Sequence, residues 1–571
     1  MTIRNPGSDK MFEQELRFTQ TYKQNINAPI AIREALCLME QFPAVFAPMQ
    51  QDDLLAGRLQ FGWIGFGLEG GSGGTAGYGM GSEYDSIVAQ INQAGLDDDR
   101  RRITLDAVEF WHKKESIVAK HLAATPQGSA VSPRLAGVFL NYDKLLNIGL
   151  PGLVNEIELK KQQAQAEGKD GQFFEGMLIA MGILSDVCRE YSENAKKLME
   201  LTVDEKQRKE LKTVSEVLER ITVSKPSTLR EAIQLFWLYS LVAGVVNYGR
   251  VDVFLGDFYA RDIDTGLLSE NEALELLKAL WQLIADRKII YNGRVIIGGK
   301  GRRNVENADR FALAAMEATR LIKEVEPQLT LRFHAGMNPR LMEKALDVIG
   351  EGRVYPMLYN DDVNVAAVRK AFGISREEAE QYLPYGCGEY AIDHASLNSP
   401  NCALNLLKML EYALHNGRDG LTGEVAGVRT GKFSSFNDFE DLFDAYKRQV
   451  EYQMEALAKS HAVEYEVERN NASYLYASAL FDDCIQRGKS MVDGGARYLG
   501  GLLESFAIVN VSDSLAAIKQ SWFMNRNVLP KNNSFKCLMP ILKDTKWKGE
   551  YFCMRPNMEM TMMRSIPSRS R

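Results

Sequence analysis

Tyr385-Gly386-Cys387-Gly388-Glu389-Tyr390 places a thiol and a carboxylate two residues apart, with a glycine on each side of the thiol and no helical period around it. On an extended or turning backbone, residues i and i+2 point to one side, so a single ligand could meet both groups. The glycines let such a segment turn tightly and approach other backbone closely. From the hexapeptide alone two readings stand together. One is a loop that projects a thiol into a cavity beside a general base; the other is a buried loop cysteine next to a solvated glutamate. No Cys-His pairing of known type lies nearby, so a thiolate nucleophile is the weaker use of Cys387, and His394 reads as a loop or core residue. The other cysteines are scattered without C-x2-C spacing, which gives no metal site and no disulfide scaffold. Cys37, Cys188, Cys402 and Cys484 read as small buried hydrophobes.

The elements that must position these residues show in the hydrophobic pattern. Leu211, Val214, Val217, Leu218 and Ile221 recur at three- and four-residue steps between Glu205 and Ile221, the stripe of a core-facing helix. Pro226-Ser227-Thr228 opens a further helix through Trp237, with Ser or Thr as its cap. Short strands are expected at Val253 to Leu255, Arg294 to Ile297, Leu329 to Phe333 and Met357 to Tyr359. Helices alternating with short buried strands indicate an α/β fold.

At 571 residues the chain exceeds one ordinary core, so it forms several domains or one large barrel. A net charge of −7 offers nothing to nucleic acid or to anionic membranes. No apolar run of spanning length and no apolar N-terminal segment occur, which gives the expectation of a cytoplasmic protein. The stretch Gly65 to Gly81 lacks the Lys-Ser/Thr ending of a phosphate loop and the βαβ context of a dinucleotide site. It is expected to be a flexible surface loop.

Taken in order, a series of short segments resembles the glycyl-radical enzymes, from roughly Leu54 to Gln520. They are Gly149-Leu-Pro-Gly152 with Glu156-Ile157, Pro226 to Trp237, Gly249-Arg250-Val-Asp252 with Phe258-Tyr259, and Pro327-Gln-Leu-Thr-Leu-Arg332. Pro356-Met-Leu-Tyr-Asn360-Asp361, Gly386-Cys387-Gly-Glu389, Gly494-Gly-Ala-Arg-Tyr498 and Asp513 to Ile518 complete the series. The resemblance implies a ten-stranded barrel of two five-stranded halves surrounded by helices, incomplete at its C-terminus, with a cysteine-bearing loop inside. It implies that Cys387 relays a hydrogen atom between a glycyl radical, installed by a radical-SAM activating enzyme, and a small-molecule substrate, and that the protein is a homodimer. No bound cofactor or metal is implied.

A single cysteine followed by Gly388 differs from the paired cysteines of pyruvate formate-lyase-type members, which disfavours acyl transfer to coenzyme A. Cys-x-Glu is shared by dehydratases, the choline lyase and several decarboxylases, and in eliminating members Glu389 would be the base. Asn247 stands where family members direct a side chain inward, so it is carried as a substrate-binding candidate beside ordinary strand-end packing. Many eliminating members have a Gly-His pair where this chain has Gly137-Val138, which implies a differently shaped pocket. The resulting expectation is a thiyl-radical dehydratase or lyase. An arylacetate-type decarboxylase, an acyltransferase, or an inert binding or decoy protein are the alternatives.

The family's radical glycine motif does not occur in this chain. Residues 521–571 hold ten Lys/Arg against three Asp/Glu and seven methionines, unlike residues 1–520. Codons rebuilt across residue boundaries can spell Pro-Lys-Tyr-Gly-Asn-Asp-Asp-Asp from Arg555 to Met563, and Leu-Val-Tyr-Glu after Gln520. These readings give the expectation of a frameshift near Gln520, a barrel domain over 1–520, a non-native basic tail over 521–571, and a chain inactive alone. The coding DNA decides this: an intact frame with no downstream Tyr-Gly-Asn-Asp coding overturns it.

Overall fold

The computed structural model describes residues 9–520 except 61–62, 68–76, 81–83, 123–128, 133–136, 290–292, 387 and 399–400. The chain divides into two compact units, one formed by 1–125, 131–402 and 458–503, the other by 126–130, 403–457 and 504–571.

Four parallel strands form the largest sheet among the described residues of the first unit: β1 (Asn247–Arg250), β2 (Arg294–Gly298), β3 (Gln328–Phe333) and β4 (Met357–Asn360), hydrogen-bonded in that order. Parallel neighbours need crossovers, and helices supply them: Val251–Asp264 and Glu270–Asp286 between β1 and β2, Val305–Ile322 before β3, and Pro339–Gly350 before β4. Three of the four strand expectations hold. Val253 to Leu255 is instead helical, because Val251, Phe254 and Leu255 bury one stripe at three- and four-residue spacing, and the strand is the preceding Asn247–Arg250.

The two faces of the sheet serve different layers. Val295, Ile297, Leu329 and Leu331 point into the main core with the helices, whereas Ile296 belongs to a separate cluster with Phe139, Leu383, Tyr385 and Ala391. That second face receives an antiparallel hairpin, β5 (Tyr382–Tyr385) and β6 (Glu389–Ile392). Strands covered on both sides read as continuous apolar runs, as Val295-Ile296-Ile297 does.

The helices of the same unit end where their sequence says they should. Thr228 caps Leu229–Ala243 by accepting from the Glu231 N–H, and Gly244 stops it at φ 71°. Glu205–Val223 buries the expected stripe, and Asp204 caps it. The described ends of the glycine-rich region depart from the surface-loop expectation: Ile64–Phe66 and Tyr78–Met80 pair antiparallel, and Tyr78 is wholly buried against Trp111, Tyr22 and Phe66. Residues 68–76 between them lie outside the described residues. Cys37, Cys188, Cys402 and Cys484 are all buried, as expected.

In the second unit, helix Leu406–Leu414 is capped by Asn405 and buries Met409 to Leu414. Lys408 bridges Glu411 and Asp419, while the Gln449 side-chain amide satisfies both backbone groups of Val428. No helix among the described residues is long and apolar enough to cross a membrane. Residues 521–571, the expected tail, lie outside the described residues.

Candidate active site

The β5–β6 hairpin closes across position 387. Tyr385 pairs with Glu389, and the Gly388 N–H donates to the Tyr385 carbonyl at 3.2 Å. The flanking glycines sit at φ 52° (Gly386) and 136° (Gly388), conformations that a side chain would resist. A Cβ at Gly386 would lie 2.3 Å from Glu389 Oε2, so the bare glycine is what lets the carboxylate fold back over the turn. Cys387 itself lies outside the described residues.

Antiparallel partners share a face, so Glu389 points the same way as Tyr385, Leu383 and Ala391, toward the parallel sheet. Its Oε2 accepts from the Gly388 N–H at 3.0 Å, and the residue is half-buried. The carboxylate is thereby held against the turn with a second oxygen left for other chemistry.

Three arginines, one from each of β1, β2 and β3, hold the hairpin in place. Arg332 is fully buried. It grips Asp361 bidentately, Nε to Oδ1 at 3.0 Å and Nη2 to Oδ2 at 2.8 Å, and donates to the Tyr382 and Glu380 carbonyls at 2.9 Å each. Its guanidinium also lies 4.0 Å over the Tyr382 ring. Burial works against the Asp361 charge, but Arg332, Tyr382 and the Lys300 N–H together hold its pKa below the usual carboxylate range. Arg250 donates to Gln381 Oε1 and to the Gly298 and Lys300 carbonyls; burial, with Arg332 pressing the same way, lowers its pKa to about 9. Arg294 Nη2 donates to the Gly386 carbonyl at 2.6 Å, tethering the turn itself, and Nη1 reaches Thr330 Oγ1 and Met357 Sδ.

Asn247, the remaining candidate, opens β1 in direct register with Arg294 and is 2% exposed; its Oδ1 has no hydrogen-bond partner. Glu389 and Asn247 thus both belong to the layer between sheet and hairpin. His394 follows β6 at φ 43°, and its Nδ1 lies 2.9 Å from Asp482 Oδ2, a structural contact that fits the loop reading.

Sequence reasoning missed the arginines as site residues. Their signal was present: Arg294 opens Arg-Val-Ile-Ile-Gly and Arg332 sits in Leu-Thr-Leu-Arg-Phe, charges inside runs otherwise fit only for burial. Among the described residues no group of His, Cys, Asp or Glu could hold a metal ion.

A second missed feature is acidic. On the inner side of helix Phe439–Asn471, Glu464 and Glu468 are 1% and 2% exposed. Burial, with Glu468 adding, raises Glu464 to about 9; burial, opposed by the Tyr474 hydroxyl, raises Glu468 to about 8. Neither Glu464 oxygen has a hydrogen-bond partner. The folded state therefore binds more protons than the unfolded chain from about pH 4.5 upward, and stability falls as pH climbs toward 9. Each such group contributes a slope of up to about 1.4 kcal/mol per pH unit. Urea unfolding of Glu464→Gln is expected to show a flatter profile over that window and a gain on the order of 2 kcal/mol at pH 8. An unchanged pH slope would contradict this account.

A family model described as pyruvate formate lyase-like matches residues 4–535. Trans-4-hydroxy-L-proline dehydratase of Clostridioides difficile is 25% identical over 472 residues, 76% of this chain and 59% of the dehydratase. A probable dehydratase of Escherichia coli is 25% identical over 90% of this chain and 68% of its own length. (2S)-3-sulfopropanediol dehydratase of Klebsiella oxytoca is 24% identical over 75% of this chain and 56% of its own length. Among solved structures, the glycerol-bound B12-independent glycerol dehydratase of Clostridium butyricum superposes with a TM-score of 0.80 at 21% identity, over 93% of this chain and 71% of that one. This chain therefore spans between about half and three quarters of the length of the proteins it matches.

Proposed function

This chain belongs to the pyruvate formate lyase-like family, and from that premise we propose that it carries the substrate-handling cysteine and base of a glycyl-radical dehydratase or lyase acting on a small molecule. The observation that carries the reading is the hairpin itself. Its register closes across Gly386-Cys387-Gly388, sets Glu389 on the sheet-facing side, and is tethered at the Gly386 carbonyl by Arg294. Dehydratases and lyases among the similar proteins support elimination over acyl transfer, as does Gly388 in place of a second cysteine.

In this reading the four-stranded sheet is part of a ten-stranded barrel. The radical supplies the reactivity, from a glycine outside these residues and installed by a radical-SAM enzyme. The protein's own part is positional. Cys387 takes a hydrogen atom from the substrate carbon and returns one to the product, Glu389 takes the proton from the hydroxyl on that carbon, and the hydroxyl of the adjacent carbon leaves as water by taking up that proton, or another anionic group leaves in its place. The buried layer excludes water from the intermediates. A homodimer is part of the same proposal.

The test is anaerobic turnover of small diols and hydroxy acids by the chain, supplied with an activating enzyme and a glycine-bearing partner, with carbonyl products trapped as hydrazones. Substrate deuterium is expected to wash between substrate and product, and Cys387→Ser to abolish both events. Turnover that persists in Cys387→Ser, or release of carbon dioxide in place of a carbonyl product, overturns the eliminating reading.

A further inference from the structure

Arg294 is a buried cation with no counter-ion among the described residues. Its side chain is completely inaccessible, and no carboxylate of the described residues comes within ion-pairing distance. Glu326 and Glu389 favour its charge only from farther away, while burial opposes it. Three of its five N–H donors are spent on Thr330, Met357 and Gly386. The Nε–H has no partner, and Nη2 keeps a second hydrogen.

The same sheet shows what such a pair of donors takes when satisfied: on β3, Arg332 uses Nε and Nη2 to hold both oxygens of Asp361. Arg294 on β2 has the same two nitrogens, with Nε unpaired and Nη2 holding only the Gly386 carbonyl. At the neighbouring position across the strands, the Asn247 carbonyl oxygen is also buried and unpaired. One unsatisfied charged donor edge and one unsatisfied acceptor, on directly paired residues, each cost free energy unless a ligand completes both.

We propose that this layer binds a small hydroxy acid, its carboxylate on the Nε and Nη2 edge of Arg294 and its hydroxyl donating to Asn247 Oδ1. The assignment deepens the eliminating reading above by naming its substrate class, and it rests on that reading only for what happens after binding. A neutral polyol leaves the guanidinium uncompensated. An acid without a hydroxyl leaves Asn247 unpaired. A charge-assisted pair formed away from water makes the larger contribution of the two.

The experiment is calorimetric titration of the purified 571-residue chain with glycerate, glycerol and propionate, without activation. Glycerate is expected to bind about tenfold or more tightly than glycerol, with propionate between them. Arg294→Lys keeps the charge but loses the edge, and is expected to remove most of the preference for the acids. Because an altered Arg294 also loosens the turn, Asn247→Asp provides an independent arm: a carboxylate beside Arg294 is expected to raise the thermal midpoint while abolishing glycerate binding. A purely structural role for Asn247 gives no such opposite pair of changes. Equal affinity for glycerate and glycerol, absence of glycerate binding at millimolar concentration, or a preference that survives Asn247→Asp overturns the proposal. Glycerate bound but never converted by activated protein counts against the eliminating reading and leaves this site standing. Conversion of glycerol by protein with no affinity for glycerate does the reverse.

Discussion

Glu389→Gln is expected to lower the rate of elimination by about 10²–10⁴-fold in activated protein, with much smaller loss of substrate binding. The amide is nearly the same shape and its oxygen can still accept from the Gly388 N–H, so the hairpin register and the tether from Arg294 to Gly386 should persist. What is lost is the capacity to take a proton. Hydrogen exchange between the substrate carbon and Cys387 does not need that capacity, so deuterium wash-out from labelled substrate should continue in the variant while product formation fails. An elimination rate within twofold of the parent protein would remove Glu389 from the chemistry and leave it as a turn-ordering residue.

The largest effect on stability is expected at Asp361. Replacing it with Leu leaves the Arg332 guanidinium, itself wholly buried, without its bidentate partner, and breaking one side of a buried pair costs about 3–5 kcal/mol. The loss should reach the hairpin, since Arg332 also donates to the Tyr382 and Glu380 carbonyls and Tyr382 donates to Asp361 at 2.7 Å. Urea unfolding followed by tryptophan fluorescence measures it. Replacing both partners, Arg332→Met with Asp361→Leu, removes the stranded charge and is expected to recover more than half of the deficit. If the single variant unfolds at the parent's urea concentration, the pair does not hold the hairpin.

The sequence was most legible where the determinant was local. The stripe from Leu211 to Ile221, the Thr228 cap and the apolar run Val295 to Ile297 each specify their element through neighbours a few residues away. The turn around position 387 was legible for the same reason, because two glycines and an i, i+2 pair announce it. Val253 to Leu255 failed because a three-residue apolar run suits either a strand or a helix. Only the stripe formed with Val251 separates the two. The glycine-rich stretch was misread at its described ends, where Gly65 and Phe66 pair with Gly79 and Tyr78 and Tyr78 enters the core.

The clamp was illegible for a different reason. Arg332 meets Asp361 across 29 residues and the Glu380 carbonyl across 48, and Arg294 meets Gly386 across 92. Nothing near Arg294 in the chain says that its partner is a carbonyl rather than a carboxylate. The buried acids of Glu464 and Glu468 were hidden similarly, since at four-residue spacing on a charged helix they look like a solvated face.

The arginines take hold of the hairpin mostly by its main-chain oxygens, those of Glu380, Tyr382 and Gly386. A carbonyl is the same whichever amino acid bears it. The fixture is thus indifferent to the identity of the tool it presents: the tip can exchange its reactive side chains over evolutionary time, or in an engineer's library, without being aimed anew. A change of chemistry at the working end therefore asks nothing of the main-chain grip that Arg294 and Arg332 provide.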